Sequence, residues 1–169
     1  MLGNRTLETA ASSVLGSIFD SLRIGERPML VVPTAGPIIR RRRYWAEGSH
    51  DDQHKARIER EVADVLIQRE CVSGALATVD VLAWDGSHVD LDDEDSANIA
   101  AVVVLFDVVG DVFDVYELPL CRSSEGWQIK EAVRPLPTGP GEGVPGAVLF
   151  ETLKASTRDN GVTPAERRR

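Results

Sequence analysis

Apolar residues recur at three-and-four spacing through Leu7, Ala10, Ala11, Val14, Leu15, Ile18, Phe19 and Leu22, the stripe of an amphipathic helix. With Asn4 or Thr6 as cap, that stripe predicts a helix over about 5 to 22, ended by Gly25 and Pro28. A short apolar Met29 to Val32 follows, then the breaker cluster Pro33-Thr34-Ala35-Gly36-Pro37; this region reads as loop with at most one strand. A second periodic segment sets Ile58, Val62, Val65 and Leu66 on one side, with Glu59, Arg60, Glu61, Asp64 and Gln68 largely on the other. Ser49 with Asp52 resembles a shortened capping box, so this helix is expected over about 50 to 69.

After Gly74 the period changes to two and β-branched residues take over, in Thr78 to Val81, Ile99 to Val104, Val112 to Val115 and Ile129 to Val133. Four to five strands are expected. Gly110-Asp111 fits a tight hairpin, and Ser123-Ser124-Glu125-Gly126 before Trp127 reads as another turn, which makes the sheet antiparallel. With a two-residue turn at Gly110-Asp111, Asp107 faces Asp114, Leu105 faces Tyr116, and Val103 faces Leu118 on one side of the sheet. The other side carries Val104, Phe106, Val108, Phe113, Val115 and one acid, Glu117. A sheet this apolar on both sides must be covered twice, for example by its own helices on one face and a second subunit on the other.

The fold class that results is α+β: two main N-terminal helices packed on a curved antiparallel sheet, with a short C-terminal helix suggested by Val148, Leu149 and Leu153. Residues 1–135 are read as one domain, and 136–169 as coil, short helix and a frayed basic tail. The order of helices first, then strands closing on Phe113-Asp114-Val115-Tyr116-Glu117-Leu118 and the Glu125-Gly126-Trp127-Gln128-Ile129 hairpin, resembles the nuclear-transport-factor-2-like superfamily, the polyketide-cyclase-like cone-shaped α+β domains. The resemblance covers roughly residues 5 to 134. It implies a sheet curled around a pocket beneath the helices and a dimer formed through that sheet. Some members are isomerases, dehydratases or cyclases acting on small hydrophobic molecules, and many only bind.

Composition narrows the reading. The chain has 169 residues, enough for one domain with a real core, and its 43% apolar and 27% charged shares are those of a globular chain. Cys71 and Cys121 lie fifty positions apart with no partner motif, poor material for a disulfide framework or zinc site, so a reducing cytoplasm is expected. No window approaches the 18 apolar residues of a membrane span. The net charge of −8 is uneven: residues 1–71 carry 11 basic and 10 acidic side chains, residues 72–169 carry 8 and 17. Such a field repels polyanions and disfavours nucleic acid as a partner.

Candidate chemistry is sparse. His50 and His54 have the four-residue spacing of a zinc-binding helix, but they fall on an exposed first turn with aspartate in place of glutamate. The Asp90-Leu91-Asp92-Asp93-Glu94-Asp95 stretch lacks the glycine of a calcium loop. No metal or cofactor is therefore expected. Asp107, Asp114 and Tyr116 share a strand face, and two carboxylates about 5 Å apart in a dry site would split into one acid and one base. Together with Asp80, which alternates with apolar neighbours, they are the candidate catalytic residues; a water-exposed hairpin tip is the competing reading. Arg40, Arg41, Arg42 and Arg43 followed by Tyr44 and Trp45 combine anion-binding charge with stacking surface, against salt bridging or plain solvation. The leading expectation is a non-catalytic module, a homodimer that binds a small hydrophobic ligand or a protein partner. The alternative is a small-pocket isomerase, dehydratase or cyclase working by acid-base chemistry.

Overall fold

The computed structural model of the protein describes residues 4–42, 44, 52–81, 99–124, 126–129, 134–136 and 144–159. Three helices, α1 (Leu7–Arg23), α2 (Asp52–Gln68) and α3 (Ala147–Asp159), pack on one antiparallel sheet. Its strands are β1 (Met29–Pro33), β2 (Ile39–Arg41), β3 (Ser73–Val81), β4 (Ile99–Asp107), β5 (Val112–Ser123), β6 (Gly126–Ile129) and β7 (Arg134–Leu136). They run in the order β2-β1-β3-β4-β5-β6, with β7 on β5 beside β6. The α+β class is as expected. The sheet has seven described strands rather than four to five, because the short β2 and β7 carry no alternation of their own and β1 is fully buried rather than half-buried.

Both faces of the sheet are apolar, as the alternation in β4 and β5 requires, and both are covered by helices of the same chain. On one face α1 lays Ala10, Val14, Ile18 and Leu22 over Leu30, Val32, Ala75, Ala77, Val79, Ala101, Val103, Leu118 and Leu120. The alanines of β3 and β4 leave room for the helix to approach. On the other face α2 contributes Ile58, Val62, Ala63 and Leu66, and α3 contributes Leu149, Phe150 and Leu153, over Leu76, Val102, Val104, Phe106 and Val115. The face assigned above in part to a second subunit is thus closed from within, and the α3 segment belongs to that second core.

α1 starts where Thr6 Oγ1 accepts the Thr9 N–H at 3.1 Å, an N-cap bond, and stops at Gly25 with its φ of 76°. The β4–β5 connection holds four residues, Val108 to Asp111, rather than two. Asp111 takes the left-handed conformation at φ 53°, and the register pairs Asp107 with Val112, Leu105 with Asp114, and Val103 with Tyr116. A four-residue loop preserves which side each residue faces. It shifts every facing pair by two, so Asp107 and Asp114 are diagonal rather than opposite.

β3 is held between β1 and β4 by a close approach at its first turn. Gly74 stands opposite both Pro33 and Phe106. A Cβ there would lie 2.6 Å from the Val32 carbonyl oxygen, 3.0 Å from Pro33 Cα and 3.2 Å from Phe106 Cζ.

Candidate functional site

The sequence-derived acids do not form one site. Asp107 is half-buried, and its Oδ1 accepts the N–H of Val109 at 3.0 Å, which closes the β4–β5 turn. Asp114 is exposed two residues along the same face, and Tyr116 is half-buried against the α1-side core. Asp80 pairs with Ala100, whereas Asp107 pairs with Ser73. Seven residues of β3 therefore separate the two acids' positions, roughly 24 Å at strand rise. The structure brings Asp107, Asp114 and Tyr116 onto one face and leaves Asp80 at the other end of the sheet.

Two residues of the arginine run, Arg40 and Arg41, lie on β2, and Arg42 follows it. Arg40 Nη1 lies 3.3 Å and Arg42 Nε 3.9 Å from the Glu26 carboxylate, so two cations share one anion. Arg41 donates to the Arg40 carbonyl at 3.1 Å. Arg43, Trp45 and His50 lie outside the described residues, as does the acidic stretch 90–95. His54 Nδ1 meets the Arg57 guanidinium at 3.0 Å. Among the described residues no group of three or more His, Cys, Asp or Glu is disposed to hold a metal ion, and no helix is long and apolar enough to cross a membrane.

Tyr44 leads instead to a cluster that the sequence reading missed. Its buried hydroxyl donates to Glu59 Oε2 at 3.1 Å, and the Lys55 ammonium stands 5.5 Å from its ring centroid. Glu59 is 3% exposed. Its Oε1 accepts the Leu149 N–H at 3.2 Å, with the Gly146 and Val148 N–H groups also hydrogen-bonded to the carboxyl. These amides are the first donors of α3, which have no partner inside their own helix.

The residue ahead of α3 is Gly146, at φ 85°, whose carbonyl accepts the Phe150 N–H at 2.9 Å. It occupies the N-cap position but has no side chain to accept the helix donors. A carboxylate from α2 does so in its place, and the partial positive charge of the helix end favours it there.

Burial nevertheless wins. Desolvation lifts the Glu59 pKa from 4.5 to about 7, against the lowering effect of the bonds from Leu149, Tyr44, Gly146 and Val148. Chemically the cluster is a carboxyl half-ionised near neutral pH, with a phenol bonded to it and an ammonium one helical turn away.

A signal for it was present in the sequence. Lys55, Glu59, Val62 and Leu66 follow helical spacing along the buried stripe of α2, and Gly146-Ala147-Val148 opens a helix without a capping side chain.

No family model, no curated protein and no solved structure matches this chain.

Proposed function

We propose that the protein is a non-catalytic binding or assembly module, of the nuclear-transport-factor-2-like kind suggested by its element order, acting as a homodimer on a small hydrophobic ligand or a protein partner. The observation that carries this reading is the structural work the described acids do: Glu59 caps the N-terminus of α3 and Asp107 closes the β4–β5 turn. The Glu59 carboxyl is bonded on both oxygens, and the candidate acids on the strands are separated or turned into a turn.

With both sheet faces covered from within, contact between copies falls to an edge. The two edges differ. β2 carries Arg40 and Arg41, so pairing it with itself would set like charges side by side. β6 reads Gly-Trp-Gln-Ile, carries no charge, leaves Ile129 44% exposed and has no described strand beyond it. On this reading the copies meet at the β6 edge. Sedimentation equilibrium at micromolar concentration is expected to give a dimer that Ile129→Lys converts to monomer and Arg40→Gln leaves intact. A monomeric parent protein would remove the dimer from the proposal.

One observation favours a second reading, a small-pocket isomerase or dehydratase: the carboxyl of Glu59 with Tyr44 and Lys55 beside it. On that reading, enolisable ketones and β-hydroxy carbonyl compounds turn over at a rate that rises through pH about 7 and vanishes in Glu59→Gln. No turnover across such a panel leaves the first reading standing.

A further inference from the structure

At the turn joining β1 to β2, two arginines from distant parts of the chain converge on one short loop. Arg5, just ahead of α1, donates through Nη1 to the Pro33 carbonyl at 3.0 Å and the Gly36 carbonyl at 2.8 Å. Arg69, just past the end of α2, donates through Nη1 to the Pro37 carbonyl at 3.0 Å. Gly36 and Pro37 are adjacent, with Cα atoms about 3.8 Å apart, so the two Nη1 atoms lie within about 10 Å of one another.

Neither guanidinium meets a carboxylate among the described residues. The ion pairs among the described residues are Arg23 with Asp20 and Arg40 and Arg42 with Glu26. Carbonyl oxygens satisfy N–H groups without neutralising charge, and each guanidinium has five N–H donors, most of which these bonds leave unused. The chain carries a net charge of −8, yet no carboxylate among the described residues pairs with either of these two cations.

We propose that the β1–β2 turn is an oxyanion site, in which Arg5 and Arg69 take a phosphate or carboxylate group of a small molecule between them. The class follows from the donors: planar guanidinium forks match the paired oxygens of those groups. Preorganisation favours binding as well. The carbonyls of Pro33, Gly36 and Pro37 already hold both side chains, so an arriving anion has less rotamer freedom to remove. Gly36, at φ 100°, shapes the loop beneath, and a Cβ there would stand 3.9 Å from Arg69 Cδ and Nη1. The site lies apart from the Glu26 pair on β2, and it goes beyond the dimer reading because it uses residues of one subunit only.

The test is a titration of the full chain with inorganic phosphate, and separately with citrate, at low ionic strength, following the amide resonances of Thr34, Ala35 and Gly36. Saturable shifts at millimolar or lower concentration are expected with at least one of the two anions, and which one it is identifies the preferred group. Arg69→Gln should weaken half-saturation at least fivefold and Arg69→Lys, which keeps the charge but not the fork, at least threefold. Arg40→Gln should change it less than twofold. Arg69 is exposed, so its variants are expected to fold. Two results overturn the site: no saturable shift in the parent protein, or the same shift in Arg69→Gln, which would leave both arginines as staples of the turn. The titration reads the same whether the protein is monomer or dimer, so failure of the β6-edge proposal does not touch it.

Discussion

Raising the pH from 4.5 to 8 is expected to remove about 3 kcal/mol of the stability that Glu59 lends the fold, seen as the difference between the parent protein and Glu59→Gln in urea unfolding. Glu59 titrates at 4.5 in its ordinary state and at about 7 in the folded chain. Between those values the native state holds a proton that the unfolded chain has already released, so the unfolded state gains as pH rises. The contribution is whole below pH 4.5, falls through the window and levels off above about 7. At 1.36 kcal/mol for each tenfold step in proton affinity, the span amounts to about 3 kcal/mol. Glutamine keeps one oxygen for the Leu149 N–H and offers Tyr44 an amide in place of the second oxygen, so its stability should be flat with respect to this group. Glu59→Ala has no acceptor at all. It leaves the buried Leu149 amide without its carboxyl acceptor, at about 1–3 kcal/mol, a loss largest below pH 4.5 and smaller at pH 8, where the parent also bears the cost of a buried charge. A difference curve that stays level across the window would show that Glu59 keeps an ordinary affinity for its proton.

Gly74→Ala is expected to cost about 3 kcal/mol or to prevent folding, because two of the three atoms its methyl would meet are backbone atoms of β1 that cannot rotate away. Phe106 could yield, but only by leaving its place over the glycine across the β3–β4 pair. Gly16→Ala is the control. Gly16 lies exposed inside α1 with nothing within 4 Å of the added methyl, so alanine should stabilise the helix by up to about 1 kcal/mol. Thermal unfolding of the two variants should move in opposite directions. Equal losses would mean that the close contact of β1 with Gly74 does not hold.

The sequence revealed elements that are periodic and carry their own punctuation. α1 announced itself through Val14, Ile18 and Leu22 at a constant spacing of four with Thr6 ahead, and β4 and β5 through alternation around Gly110. β2 escaped because only Ile39 among its three residues is buried, the other two being arginines; its partner β1, not its own pattern, makes it a strand. β7 escaped for a similar reason, since Pro135 is tolerated only because the strand sits at an edge. The facing pairs in the β4–β5 hairpin depended on turn length, which Val109-Gly110-Asp111 does not determine by composition. Glu59 was assigned to the polar side of α2 because it is charged. What buries it is the unpartnered N-terminus of α3, about ninety residues further on, a relation no local window contains.

The placement of α1 bears on how the chain is made. Its apolar stripe precedes by about fifty residues the β3 alanines it settles on, and by more the β4 and β5 residues that complete its seat. During synthesis that greasy surface leaves the ribosome with only Leu30 and Val32 of β1 to rest against, and at roughly 5–20 residues per second it waits several seconds for the rest of its cover. Over that interval α1 is the segment a chaperone would hold, and slowing translation between α1 and β3 should increase aggregation more than slowing translation within α3.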